Sequence, residues 1–317
     1  MPKELESKPE RGRMQDATKG ILAMLGACLI WGCMPLIYKP LAHVASEEVL
    51  AHRVIWSLVF LAVILKLQGR IKEVKSALNG PRRMWRTTIA AAMISVNWFL
   101  IIFATAIGRN TESSLGYYIY PLIAVVVGRL LFGEKLGVVQ GVSVVLATGG
   151  VISLALGLGA LPWIALAVAF SFAWYGVLKK TVEYDALVSV TAELLMFLPF
   201  VLVILIWVGT FQDLTFGTAM FETIYMIVSG PVTALPLILF SYAAVRVRMS
   251  TIGLMQYINP TLQFFTAVVL FAEPFTTWHA VAFALIWIAL ALYTLSAWGQ
   301  DRTSRRKVRA PSGSSAT

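Results

Sequence analysis

Ten segments of about 20 residues, each almost free of charged side chains, constrain the fold of this chain more than any other feature. A hydrocarbon layer about 30 Å thick needs a helix of about 20 apolar residues to cross it. Only 13% of the residues are charged, against about 25% in an ordinary globular domain. We therefore predict an all-α membrane protein with ten transmembrane helices. The predicted spans are residues 20–38, 49–67, 85–107, 111–132, 138–156, 161–179, 187–208, 222–244, 251–271 and 278–298.

Basic residues are distributed unequally between the two ends of these helices. Apart from Lys39, Arg53 and Arg109, the 26 lysines and arginines lie in the two tails, in the loops after even-numbered spans, or at the adjoining span ends. The positive-inside rule then places both termini in the cytoplasm and the protein in a bacterial inner membrane. Residues 1–19 form a basic, polar N-terminal tail in this prediction, and residues 299–317 a basic, disordered C-terminal tail. Because the basic residues share neither a face nor a domain, we predict a lipid bilayer and no nucleic acid as partner.

The two halves of the chain share a pattern that indicates an internal duplication. Residues 97–134 superpose on residues 236–273 without a gap at an offset of 139. The identical pairs include Arg109 with Arg248, Tyr118 with Tyr257, Pro121 with Pro260 and Glu134 with Glu273. Each predicted unit, residues 20–156 and 157–298, has an odd number of spans, so the second unit enters the membrane from the opposite side. Inverted repeats of this kind are common in secondary transporters, whose substrate site lies near the midplane between the halves.

Several motifs within residues 20–298 carry a family resemblance. They read LIWGCMPLIYK, EEVLAHRVIWS, NWFLIIFAT, ESSLGYYIYPLIAVVVGRLLFGEKL and MSTIGLMQYINPTLQFFTAVVLFAEP. The chain resembles the RarD branch of the EamA family, in the drug/metabolite transporter superfamily. The resemblance implies the ten-helix fold and a transport role. In the family pattern we expect Asn before the proline of the fourth helix, where this chain has Tyr120; Asn259 keeps that residue in the ninth helix.

Arg53, Glu193 and His52 are the ionisable residues that lie clearly inside predicted spans. A charge at the centre of a membrane helix costs about 3 kcal/mol on insertion scales, so such residues are functional candidates. Glu193 lies about 9 Å into its span, and burial there suits a carboxyl group to proton exchange. The alternatives are a structural Glu193 and an Arg53 that reaches the outer headgroups. We expect separate coupling or gating roles for the two, because the inverted topology places them toward opposite leaflets.

The ninth span is predicted to present Gln256, Asn259 and Gln263 on one helical face, at spacings of three and four residues. A polar stripe in a lipid-embedded helix faces protein or a cavity, so we assign it to substrate binding. Pro121 and Pro260 each remove a backbone donor in mid-span, which frees a carbonyl for a solute or permits bending. We assign the two prolines to gating; kinks packed against neighbouring helices are the alternative.

Aromatic side chains inside the spans complete the predicted substrate site. The remaining candidates are Trp31, Asn97, Trp98, Tyr117, Tyr118, Trp174, Tyr175 and Tyr257. Aromatic rings stack on flat solutes and attract cations, which favours an aromatic or amino-acid-like substrate. Core packing is the alternative for each ring. Small residues at Ala165, Ala169 and Ala173 predict close helix packing, either within the chain or in a homodimer.

These features favour an alternating-access carrier that exports a small drug-like or amino-acid-like metabolite. The sequence has no P-loop and no His and Cys cluster at metal-ligand spacing, so we predict no ATP-driven step, metal or cofactor. Proton coupling, exchange, import and downhill flow stay open. A membrane enzyme acting on lipid-like substrates is the alternative from another class. It would need several acidic or His residues at one membrane depth, so we predict no enzyme activity.

Overall fold

The computed structural model describes residues 10–41, 43–106, 110–134, 136–158, 163–270 and 276–309. Within these ranges the chain forms helices joined by short connections, without a strand. The helices are α1 (Glu10–Gly32), α2 (Met34–Tyr38), α3 (Ser46–Leu67), α4 (Ile71–Leu78), α5 (Pro81–Ala106), α6 (Asn110–Phe132), α7 (Val138–Leu158), α8 (Trp163–Lys180), α9 (Ala186–Phe211), α10 (Met220–Ala244), α11 (Met249–Met255), α12 (Ile258–Phe265) and α13 (Thr277–Arg309). Arg109 and Glu273, which belong to the predicted repeat, lie outside the described residues.

Five helices of the described chain are long and apolar enough to cross a membrane. They are Ser46–Leu67, Leu115–Phe132, Val138–Gly157, Ala186–Phe211 and Met220–Ala244, and Thr277–Tyr293 is a shorter apolar stretch. Large apolar side chains on these helices are exposed, for example Phe200 and Ile206 on α9. Such a surface is stable in lipid, whose acyl chains are as apolar as leucine. The protein is therefore a multi-pass membrane protein.

A described helix overlaps every predicted span, but two of the spans are interrupted. The first divides into α1 and α2 at Cys33, and the ninth into α11, α12 and a π-helical turn, Thr266–Leu270. The last helix, α13, continues to Arg309, beyond the predicted end of the tenth span at residue 298. Arginine and lysine are good helix formers and are favourable near a helix C-terminus. Residues 310–317 lie outside the described chain.

The helices up to α7 pack mainly against the helices from α8 onward. Helix α3 contacts α9 and α10, α6 contacts α8 and α11, and α7 packs along α13. The approach of α10 to α3 is closest at Gly230, where a Cβ would lie 2.4 Å from the backbone carbonyl carbon of Trp56. Ala165, Ala169 and Ala173 on α8 are buried inside the chain. This stripe of small residues therefore serves packing between helices of one molecule.

Candidate functional site

The helix of the ninth predicted span is broken at Gln256 and Tyr257, between α11 and α12. Pro260 explains the break, because it has no N–H to donate to the Gln256 carbonyl four residues earlier. The N–H of Asn259 donates to that carbonyl instead, at 3.1 Å, and tightens the turn. Helix α6, by contrast, continues through Pro121. The two prolines, predicted to act alike, thus have different effects on the backbone.

Buried polar groups lie on two sides of this break. Cys28, Tyr120 and Gln256 share the core that contains α1, whereas Tyr257 packs in a second core with Tyr118 and Leu254. The thiol of Cys28 on α1 donates to Gln256 Oε1 at 3.2 Å and to the Met255 carbonyl at 3.4 Å. Gln256 Nε2 and the hydroxyls of Tyr120 and Tyr257 are buried, and none of them has a hydrogen-bond partner among the described residues. An unpaired buried polar group costs about 1–3 kcal/mol. Such groups therefore mark a place where a solute or water is expected to bind.

The predicted polar stripe faces α1. Gln263 Nε2 donates to Asn259 Oδ1 at 2.8 Å and to the carbonyl of Trp31 at 3.1 Å. Gln256 meets Cys28 one turn earlier on α1. All three polar residues are consequently turned toward the protein and away from lipid. Gln256 lies in the break itself, and Asn259 and Gln263 lie in α12.

Five aromatic side chains form one packed group, the aromatic cluster: Trp31, Tyr120, Phe172, Tyr175 and Phe240. Neighbouring ring centroids lie between 4.9 and 6.0 Å apart. Helices α1, α6, α8 and α10 each contribute to the cluster. Sequence reasoning missed Phe172 and Phe240, because a phenylalanine in an apolar span looks the same whether it faces protein or lipid.

The structure does not bring the other candidates into this cluster. Asn97 on α5 donates to the Val168 carbonyl at 2.9 Å and to Ser171 Oγ at 3.2 Å, and so ties α5 to α8. Tyr118 donates to the Pro260 carbonyl at 3.2 Å, which joins α6 to α12. These two contacts are structural links between helices.

Four further candidates lie elsewhere. The Arg53 guanidinium lies over the ring of Trp98, 4.7 Å from its centroid. Trp174 is 37% exposed and packs edge-on against the exposed Phe170, on a different face of α8 from the aromatic cluster. Tyr117 is half-buried on α6. Trp174 was predicted to line the substrate site, but in the structure its ring does not contact the aromatic cluster.

A buried ion pair joins the end of α8 to the start of α9. Lys179 Nζ lies 2.5 Å from Glu193 Oε1 and donates to Ser189 Oγ at 2.8 Å. Tyr175 donates to the other carboxylate oxygen of Glu193 at 3.0 Å. The side chains of Lys179 and Glu193 are only 1% and 3% exposed. Glu193 therefore has a specific cationic partner, a lysine that sequence reasoning grouped only with the basic residues at span ends.

The ion pair also separates the two predicted gating charges. Glu193 is bound by Lys179, while Arg53 lies over Trp98. The short connection between α8 and α9 explains the pairing, because it returns the chain so that residues 179 and 193 meet. A long lysine side chain reaches back along its own helix, which a count of loop charges does not reveal.

A cavity of 30 Å³ leads toward Glu193 from the end of the protein that carries Arg83 and Arg86. Ser189 and Glu193 line its inner part, and Tyr184 lines it near the connection between α8 and α9. Burial raises the pKa of the Tyr184 phenol, which therefore stays neutral at physiological pH. The cavity has room for about one water molecule, so the Glu193 carboxylate is within reach of water from this end.

Two more buried carboxylates, Glu134 and Glu48, bind backbone N–H groups of later helices and loops. Glu134 accepts hydrogen bonds from the first two residues of α11, at 2.7 and 3.1 Å. Glu48 accepts from Thr215 at 2.9 Å and from Phe216 at 2.8 Å. Sequence reasoning missed both, because they lie just outside predicted spans, where a carboxylate is expected to be hydrated. Within the described ranges, no group of three His, Cys, Asp or Glu residues is placed to hold a metal ion.

Known proteins resemble this chain over nearly its whole length. A "Protein RarD" of Escherichia coli (strain K12) is 36% identical and covers 92% of this chain and 99% of its own. An "Uncharacterized transporter" of Vibrio cholerae is 37% identical, over 92% of this chain and 97% of its own. The "Chloramphenicol-sensitive protein RarD" of Pseudomonas aeruginosa is 29% identical, over 93% of this chain and 99% of its own.

A solved structure and a family model also match this chain. A solved structure described as "Crystal structure of protein" superposes with a TM-score of 0.69 at 20% identity, over 88% of this chain and 98% of its own. This likeness shows a shared fold. The model of the EamA-like transporter family matches residues 18–156. The chain therefore belongs to the RarD branch of the EamA-like transporter family, membrane transporters of the drug/metabolite transporter superfamily.

Proposed function

We propose that this protein is a secondary transporter that exports a small solute by alternating access. Its ten spans form two inverted halves in a bacterial inner membrane, and both termini lie in the cytoplasm. The helices that overlap the predicted spans, and the basic residues concentrated at one end of them, support this topology. The family match to residues 18–156 agrees closely with the first proposed half, residues 20–156.

The broken helix between α11 and α12 is the observation that carries the proposal. It places a kinked backbone, whose residues Gln256 and Tyr257 keep right-handed helical dihedral angles, and three buried, unpaired polar groups in the middle of a span. Discontinuous helices in mid-span form the solute sites of many secondary transporters. Cys28 and Tyr120 come from the first proposed half, and Gln256 and Tyr257 come from the second. A solute bound there contacts both halves, as alternating access requires.

The chemistry at the break suits a small solute without net charge. Cys28, Tyr120, Gln256 and Tyr257 are neutral, so they offer no counter-ion to a charged solute. The Gln256 amide donates to a carbonyl or hydroxyl oxygen, and the phenols donate or accept. The aromatic cluster adds a surface for flat rings. An uncharged aromatic metabolite, or a drug-like amide, meets these requirements.

Proton coupling through Glu193 is part of the proposal. The 30 Å³ cavity gives its carboxylate access to water from the end that the proposed topology places in the cytoplasm. Tyr175 connects Glu193 to the aromatic cluster. A change in the protonation of Glu193 therefore alters the hydrogen bond from Tyr175, which packs against the other rings of the cluster. Protonation of Glu193 would also release Lys179 from its ion pair. Arg83, Arg86, Glu183 and Tyr184 are the other titratable groups along this route.

The solute site is tested by Gln256→Leu, which removes the amide and keeps a similar volume. A thermal-shift screen of metabolites and antibiotics on purified protein first identifies a stabilising solute, and its flux is then measured in liposomes. We expect the solute concentration at half-maximal flux to rise about tenfold, because one buried hydrogen bond contributes about 1–1.5 kcal/mol. Gln212→Leu, at an exposed position between α9 and α10, is the control. Unchanged flux in Gln256→Leu would contradict the site, and product formation without flux would indicate an enzyme.

Proton coupling is tested by Glu193→Gln in a Lys179→Met background, which removes the titratable group, keeps an acceptor for the Tyr175 hydroxyl and leaves no unpaired buried lysine. We expect flux driven by a pH gradient to fall to the level seen without a gradient. Exchange of labelled for unlabelled solute should persist, because it needs no net proton transfer. Glu73→Gln on α4, whose side chain is 49% exposed and does not line the cavity, is the matched control and should keep the gradient dependence. Gradient-driven flux that survives in the double variant would exclude Glu193 as the coupling group.

A further inference from the structure

The two segments of the broken helix contact α6 very differently. Helix α11 packs along the C-terminal half of α6, whereas α12 largely leaves α6 and lies against α1. Tyr118 provides one remaining polar link, through its hydrogen bond to the Pro260 carbonyl. The seam between α6 and the broken helix is therefore closed at the end of α11 and much looser beyond the break.

Two glycines make the closed part of the seam tight. A Cβ at Gly253 on α11 would lie 2.6 Å from Ala124 Cβ and 3.0 Å from the Pro121 carbonyl oxygen. A Cβ at Gly128 on α6 would lie 3.3 Å from the backbone nitrogen of Ser250 on α11. The space beside each glycine is therefore too small even for a methyl group. A larger side chain would push the two helices apart, and neither water nor solute fits between them.

Glu134 fastens the same seam by hydrogen bonds. Its carboxylate accepts from the backbone N–H groups of Met249 and Ser250, at 2.7 and 3.1 Å, and from Ser250 Oγ at 2.6 Å. Arg248 Nε lies 3.7 Å away, and Tyr293 donates to Ser250 Oγ at 3.4 Å. The side chain of Glu134 is only 7% exposed. Opening the seam would break the three hydrogen bonds that Glu134 accepts from Met249 and Ser250.

We propose that Glu134 is the latch of the cytoplasmic gate, and that the present structure is the form closed on that side. The inference rests on the proposed function, since a gate exists only in an alternating-access carrier. Lys180, Arg246 and Arg248 mark this end as the cytoplasmic one in the proposed topology. Release of the Glu134 carboxylate allows α11 to separate from α6, with the helix break as the hinge. The latch sets the relative populations of the form open to the cytoplasm and the form open to the opposite side of the membrane.

The test is the distance between α6 and the start of α11 in purified protein without solute. Nitroxide labels on Leu130→Cys in α6 and on Val245→Cys, which caps α10 four residues before α11 begins, report the movement of α11 away from α6 by pulsed electron resonance in a Cys33→Ser background. The remaining Cys28 is buried. We expect Glu134→Gln to raise the ratio of the long-distance to the short-distance population about tenfold, because a charged acceptor is lost from three hydrogen bonds.

Glu48→Gln is the matched control, because Glu48 also binds two backbone N–H groups but at the opposite end of the molecule. It should leave the labelled distance unchanged. Should Glu134→Gln fail to fold, Gly253→Ala opens the same seam sterically without changing a charge. Unaltered distances in Glu134→Gln, or in Gly253→Ala where that variant replaces it, would overturn the latch. The measurement needs no solute, so it is independent of whether flux or proton coupling is found.

Discussion

Lys179→Met should be among the most destabilising single substitutions in this protein. It leaves the Glu193 carboxylate buried, with its side chain 3% exposed, and without a counter-ion. Removing one partner of a buried ion pair typically costs about 3–5 kcal/mol, because the remaining charge keeps its desolvation penalty and loses its attraction. Ser189 and Tyr175 still donate to the carboxylate but carry no charge. We expect a loss of unfolding free energy in that range, measured by denaturant titration in detergent micelles.

The double variant Lys179→Met with Glu193→Gln separates this cause from simple loss of packing. It removes both charges, and Gln still accepts a hydrogen bond from Tyr175, so most of the stability should return. Lys75→Met, at an exposed position on α4, is the control for changing a lysine elsewhere. If the double variant is as unstable as Lys179→Met, the ion pair is not the reason for the effect.

Gly230→Ala should be nearly as damaging, for a steric reason. The added Cβ would lie 2.4 Å from the Trp56 carbonyl carbon and 2.6 Å from the Ser57 nitrogen, both backbone atoms of α3. A backbone cannot rotate out of the way as a side chain can, so α3 and α10 would have to separate. Separation would also strain the hydrogen bond from Ser57 Oγ to the Gly230 carbonyl, at 2.8 Å. We expect a loss of about 3 kcal/mol, the upper end for overpacking, in the same titration.

Gly141→Ala provides the matched control on α7. No atom lies within 4 Å of the position that its Cβ would take. Alanine is favoured over glycine inside a helix by about 1 kcal/mol, so this variant should be neutral or slightly more stable. Equal losses for Gly230→Ala and Gly141→Ala would show that helix packing at Gly230 is looser than the structure indicates.

The positions of the helices could be predicted from the sequence with little error. Apolar runs of membrane length occur for one physical reason, the cost of placing polar groups in hydrocarbon, so each run corresponds to a helix. The break in the ninth span was missed even though Pro260 was noticed, because α6 continues through Pro121 while the later helix does not. A proline removes one donor in either case. In the later helix, the Gln256 carbonyl that Pro260 leaves without a donor accepts from Asn259 instead, and this contact depends on the local packing, which the sequence does not show.

The candidate site was predicted in part. The inward orientation of Gln256, Asn259 and Gln263 could be predicted because a polar stripe in an apolar helix must face protein. Their role in binding a solute stays a prediction. Phe172 and Phe240 were missed because an apolar ring in an apolar span gives no directional signal. Trp174 was assigned to the site, yet it lies on an exposed face of α8. Aromatic content alone does not distinguish the inside of a membrane protein from its lipid surface.

By itself the sequence determined the chemical class of this molecule: an all-helical protein of the EamA-like transporter family, with its basic residues gathered at one end of the helices. Solvent preference and charge act on each segment separately, so they can be recognised without coordinates. The tertiary structure decided which charges are paired, namely Glu193 with Lys179 and Glu134 with the start of α11. These pairings depend on distances between helices that are remote or reversed in the chain, and only packing fixes those distances.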